Sequence, residues 1–149
     1  MNWLWISLAG FVVLLVVGFL VLRNRLRGLA RRCRRRVLDR LDEESILLLE
    51  PAANCLGVRS RGPGHLRGNG CWALTAAGIH FEFWVGAATL ELPLNRITGL
   101  RVADSFQGVS KGLPVVIVGF TDPAGTADET AWIFADHKTV VSELEDLLS

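Results

Sequence analysis

The hydrophobic pattern changes its period three times along the chain. From Trp3 to Leu22 it has no period: twenty residues carry no charge, and fourteen of them are Leu, Ile, Val or Phe. At about 1.5 Å per helical residue that run spans roughly 30 Å, the hydrocarbon thickness of a bilayer. At about −0.3 to −0.6 kcal/mol per large apolar residue, insertion is favoured by very roughly 4–8 kcal/mol. Ser7, Gly10 and Gly18 are tolerable in such a helix, and Trp3 and Trp5 stand where an interfacial aromatic belt is expected. A cleaved signal peptide is the competing reading. It requires basic residues before the apolar core and a small-residue cleavage site after it, whereas here Arg23-Asn24-Arg25 follows the core directly. The pattern predicts a retained transmembrane anchor over residues 1–22.

From Arg23 the period becomes helical. Leu26, Leu29, Ala30, Cys33, Val37 and Leu41 recur at steps of three and four, a narrow apolar stripe on an arginine-covered helix. This basic neck, residues 23–44, could continue the membrane helix, lie on lipid headgroups, pair with a second copy, or remain a solvated linker. Asp42-Glu43-Glu44 reverses the charge and marks a domain boundary.

From Ser45 the period falls to two. Ile46–Leu49 and Leu56–Val58 are short apolar pieces around Pro51, which cannot sit inside a central strand. Cys71–Thr75 and Ile79–Val85 read as strands joined by Ala76-Ala77-Gly78. In the second, Ile79, Phe81, Phe83 and Val85 alternate with His80, Glu82 and Trp84, predicting one buried and one mixed face. Thr89–Leu92, Ile97–Val102, Pro114–Phe120 and Thr130–Phe134 complete the set, with Asp104–Leu113 as a polar, glycine-bearing loop. The chain ends in a helix capped by Asp136, with Val140, Val141, Leu144, Leu147 and Leu148 on one face. Six or seven strands followed by one amphipathic helix predict an α+β fold over 45–149, a curved antiparallel sheet whose open end the helix plugs.

Charge adds an orientation. The net charge of +1 divides into a neck (23–41) of +8 and a head (42–149) of −7. Nine arginines on the C-terminal side of the apolar run place that side in the cytoplasm of an inner-membrane protein, with the N-terminus out. Arg23, Arg25, Arg27, Arg31, Arg32, Arg34, Arg35 and Arg36 are the residues expected at an anionic membrane surface. An acidic head argues against nucleic acid as a partner. Cys33, Cys55 and Cys71 show no metal-ligand spacing, and an odd number in a cytoplasmic segment reads as free thiols.

The run Gly70-Cys71-Trp72-Ala73-Leu74-Thr75-Ala76-Ala77-Gly78-Ile79-His80-Phe81 resembles a hairpin of bacterial pleckstrin-homology-like and GRAM-like domains. Leu90-Glu91-Leu92-Pro93-Leu94-Asn95-Arg96-Ile97 resembles the strand that follows it there, and Trp132-Ile133-Phe134 with its helix fits the end of that fold. The resemblance covers about residues 45–149. It implies a seven-stranded bent sheet capped by a C-terminal helix, on a membrane-anchored chain that binds lipid headgroups, peptides or proteins and is not an enzyme.

Candidate chemistry is sparse. Arg59, Arg61 and Arg67, with His65, fall in the loop between the early strands, where phosphoinositide-binding pleckstrin-homology domains grip phosphate with basic residues. The Gly-Pro-Gly interruption there also fits a solvated loop. No Gly-Lys-Ser/Thr follows, so a phosphate-binding P-loop is excluded. His65, His80 and His137 are dispersed and predict no metal site. Ser105, Ser110, Asp104 and Asp122 stand in no nucleophile-elbow context. Trp72, Trp84 and Trp132 read as core or sheet-face residues, with an aromatic ligand platform the sharper alternative. The expectation is a membrane-tethered, noncatalytic binding or scaffolding module without cofactor or metal, facing a protein partner. Headgroup recognition by the head is the alternative, and self-association is open.

Overall fold

The computed structural model describes residues 2–149; the side chains of Asn2, Leu4 and Trp5 lie outside the described set, so Trp5 as an interfacial aromatic does too. Helix α1 runs unbroken from Asn2 to Arg40, a length of about 58 Å at 1.5 Å per residue. The apolar run and the basic neck are therefore one rod. Among the described side chains the apolar stretch is exposed, including Trp3, Phe11 and Phe19, and α1 is long and apolar enough to cross a bilayer.

Seven strands follow: β1 (Ile46–Val58), β2 (Gly68–Thr75), β3 (Gly78–Phe83), β4 (Thr89–Pro93), β5 (Ile97–Ala103), β6 (Val115–Thr121) and β7 (Ala127–Ile133). They form one antiparallel sheet in the order β4-β3-β2-β1-β7-β6-β5, and helix α2 (His137–Leu148) closes it. The α+β class expected from the periodicity is the class observed. The two apolar pieces around Pro51 are a single bent strand. The β1–β2 register shifts between Glu50 and Ala53, so Pro51 sits in a bulge where no ladder N–H is needed. Beyond the bend β1 pairs with β7, and so joins the two halves of the sheet.

Alternation along the strands sorts the core into three clusters. Trp72, Leu74, Phe81, Val116, Val118 and Trp132 point to the inner face, where Val140 and Leu144 of α2 complete the core. Trp72 meets Trp132 and Phe134 edge-on, with ring centroids 6.4 and 5.2 Å apart. Asp136 caps α2 by accepting a hydrogen bond from the Thr139 amide at 3.2 Å.

The outer face is covered twice. On the β6–β7 half, Phe106 folds onto Leu56, Val115, Ile117, Ala131 and Ile133, so the predicted polar loop carries one buried aromatic. On the β1–β3 half, Cys33 and Val37 of α1 lie on Cys71 and Ala73. Strand β3 is consequently buried on both faces, where the alternation predicted one mixed face.

Candidate functional site

The joint between α1 and the sheet is the most organised polar feature of the molecule. Helix residues 33, 37 and 41 advance about 6 Å per step, close to the roughly 6.6 Å per two strand residues separating 71, 73 and 75. The helix lies along β2 in the same direction: Cys33 meets Cys71 and Val37 packs in the same cluster as Ala73. Leu41 shares a shallow cavity with Thr75, Gly78 and Ile79. The small side chains of Cys71 and Ala73 allow this approach. Gly70 beside them serves the opposite face, where a Cβ would stand 2.4 Å from the Phe81 ring.

Glu82 sits at the centre of the joint. Its side chain is 2 % exposed and pairs with Arg36 through Nε, while Arg40 Nε lies 3.7 Å from its second oxygen. Arg36 also donates from Nη2 to the Phe83 carbonyl at 2.7 Å. His80, buried beside it, places Nε2 3.8 Å from Glu82 and Nδ1 3.3 Å from Glu91. A buried carboxylate is tolerable only when paired and hydrogen-bonded, and here both cations come from α1. Cys33 donates to the Glu82 carbonyl at 3.1 Å. A hydrogen bond from Cys71 holds the Cys33 thiol below the usual range, at about 7; burial opposes this and Arg36 assists it. The same bond, together with burial, pushes Cys71 up. Both thiols are free and fully buried, which makes them inert while the joint is closed.

Arg36, expected at an anionic membrane surface, is turned toward the head, where it pairs with Glu82. Arg23, Arg25, Arg27, Arg31, Arg32, Arg34 and Arg35 have no ion pair among the described residues. Sequence reasoning missed Glu82 and His80 because a charged residue at an alternating strand position reads as solvent-facing. The available signal was the coincidence of an apolar stripe at 33, 37 and 41 with small residues at 71 and 73.

The arginine loop is organised differently. Arg59 pairs with Glu129 at 2.5 Å and lies 5.7 Å above the Phe106 ring; Glu129 also holds Arg101 at 3.1 Å. Arg67 donates from Nε to the Leu56 carbonyl at 2.7 Å and keeps a buried Nη2 without a partner. It lines a cavity of about 240 Å³ with Asn54, Gly68, Val109 and Lys111. Arg61 is exposed. Arg59 and Arg67 thus engage separate partners within the head, Glu129 and the Leu56 carbonyl.

His65 is exposed, His137 half-buried and His80 buried in the joint. Trp72 and Trp132 are core residues, and half-buried Trp84 donates to the Pro51 carbonyl at 2.9 Å. With this geometry in place, comparison of the chain with protein-family models and with curated proteins gives no match.

Proposed function

We propose that the protein is a membrane-tethered, noncatalytic binding module. In this reading α1 spans the inner membrane, and the sheet domain is presented in the cytoplasm to a protein partner at a fixed height. The observation that carries the reading is the buried Arg36–Glu82 joint: a head needing only a tether would not bury a carboxylate to lock itself onto the helix. The resemblance of residues 45–149 to pleckstrin-homology-like and GRAM-like domains, which bind and do not catalyse, agrees with it.

Two features favour protein over headgroup as the ligand. The loop arginines Arg59 and Arg67 are engaged internally. Strand β5 is a sheet edge with exposed Thr98, Gly99, Arg101 and Val102, and so offers unpaired backbone groups to another chain. Bilayer contact then belongs to the neck. At 1.5 Å per residue, Arg23, Arg25 and Arg27 lie within about 8 Å of Leu22, roughly one Debye length. Arg31 to Arg35 lie about 14–20 Å away by the same rise.

The test uses the full chain in its native membrane, with a photo-crosslinking residue at Val102. A discrete protein adduct, reduced when β5 is altered at Arg101, is the expected result. Headgroup-selective vesicle binding by residues 23–149 that disappears when Arg59, Arg61 and Arg67 are neutralised would favour lipid recognition instead.

A further inference from the structure

The joint fixes which end of strands β2 and β3 faces the bilayer; the charged β1–β2 loop and the uncharged β3–β4 loop both lie at that end, and the second has the chemistry of a membrane contact. Helix α1 runs from Leu22 at the membrane boundary down to Leu41, parallel to β2 and therefore antiparallel to β3. Going back along the helix toward the membrane means going forward along β3, from Gly78 through Glu82 to the β3–β4 loop. The loop is closed by the Phe83 amide donating to the Ala88 carbonyl at 3.4 Å, and Trp84 N–H donates to the Asn69 carbonyl at 2.9 Å. Its tip is Val85-Gly86-Ala87, and Val85 is 77 % exposed.

Heights follow from the rises. Cys33, in contact with the Glu82 carbonyl, lies about 16 Å below Leu22 at 1.5 Å per residue. Strand β3 ends at Phe83 and residues 84–87 bend, so from Glu82 to Val85 the chain climbs back at most roughly 10 Å at about 3.3 Å per residue. Val85 therefore reaches to no nearer than about 6 Å from the hydrocarbon boundary, the outer part of a headgroup layer that adds roughly 5–8 Å to each side of the core.

The sequence there suits that position: Phe83 to Leu90 contains no charged residue. The turn at the other end of β3, Ala76-Ala77, lies by Leu147 and Leu148 at the C-terminal end of α2. That helix end carries Glu143, Glu145 and Asp146, which the same geometry holds on the far side from an anionic surface. The repulsion expected of an acidic head is reduced by this separation.

The geometry points to the loop Trp84–Ala88 as a second membrane contact, with Val85 inserted among the lipid headgroups. The site rests on α1 spanning the bilayer. It needs little affinity of its own, because the helix already holds the loop at the surface. Trp84, tied to the Pro51 carbonyl, fixes the base of the loop while the tip enters the interface.

The experiment uses the full chain in liposomes of zwitterionic and anionic phospholipid. An environment-sensitive fluorophore is placed on single introduced cysteines, Val85→Cys, Ala76→Cys and Leu14→Cys; all three positions are exposed, whereas Cys33, Cys55 and Cys71 are buried. The unmutated chain sets the labelling background. The expected result is blue-shifted emission at position 85, quenched by a spin label near the headgroup, with position 76 aqueous and position 14 quenched by a deep label. Position 85 as aqueous as position 76, with position 14 deep, overturns the loop contact alone. Position 14 shallow or aqueous overturns the spanning helix and the loop contact with it.

Discussion

At the scale of the residue, the two partners of the buried ion pair are not equivalent. Arg36 keeps 38 % of its side chain in solvent, whereas Glu82 keeps 2 %. Removing Glu82 leaves an arginine that can swing into water, together with Arg40. Removing Arg36 leaves a carboxylate in the joint with only Arg40 at 3.7 Å and His80 at 3.8 Å for compensation. Breaking a buried pair from the side that strands a charge costs about 3–5 kcal/mol, and the remaining Arg40 places this case toward the lower end. In a 23–149 fragment, Arg36→Ala is therefore expected to lower the urea midpoint more than Glu82→Gln does, since the neutral amide needs no cation. Equal losses, or a larger loss for Glu82→Gln, would show that the pair's attraction outweighs the cost of stranding the acid.

At the scale of the element, α2 depends on docking. Twelve residues are marginal as an isolated helix, and Glu145 and Asp146 near its C-terminus oppose the macrodipole. Leu144 is fully buried against the sheet core, so Leu144→Ala in the same fragment is expected to cost on the order of 2–5 kcal/mol, read from the shift in denaturation midpoint. An unchanged midpoint would mean that the helix frays without consequence. This helix was legible beforehand, because its cap and apolar face are local in sequence. Strands β2, β3 and β6 were legible for the same reason, from alternation or a continuous apolar run. The single bent β1 was not, since Pro51 reads as a strand breaker until a bulge excuses it from the ladder. The joint was not legible either. Its partners, Cys33 with Cys71 and Arg36 with Glu82, are separated by nearly forty residues or more, and periodicity carries no information at that range.

At the scale of the whole molecule, the boundary between neck and head is chemical more than structural. Charge reverses at Asp42, yet the last turns of α1 are part of the head's packing: Cys33 and Val37 are fully buried and Leu41 half-buried on Cys71, Ala73, Ile46 and Leu49. A head cut at residue 42 loses this cover and exposes the outer face of β2 and β3 to water. Taking about 1.5–3 kcal/mol for each large apolar side chain returned to solvent, Val37 and Leu41 alone represent roughly 3–6 kcal/mol as an upper range. The 42–149 fragment should therefore unfold at a clearly lower urea concentration than 23–149. Its Cys71 should react with a thiol reagent under native conditions, because the cover that shields it is gone. Adding a separate peptide of residues 23–41 should slow that reaction if the joint forms between the two pieces as it does within the chain. Matching midpoints and an unreactive Cys71 in the shorter fragment would show that the head is complete without the helix. The rod would then be a tether, and the proposed fixed height of the head above a membrane would lose its physical basis.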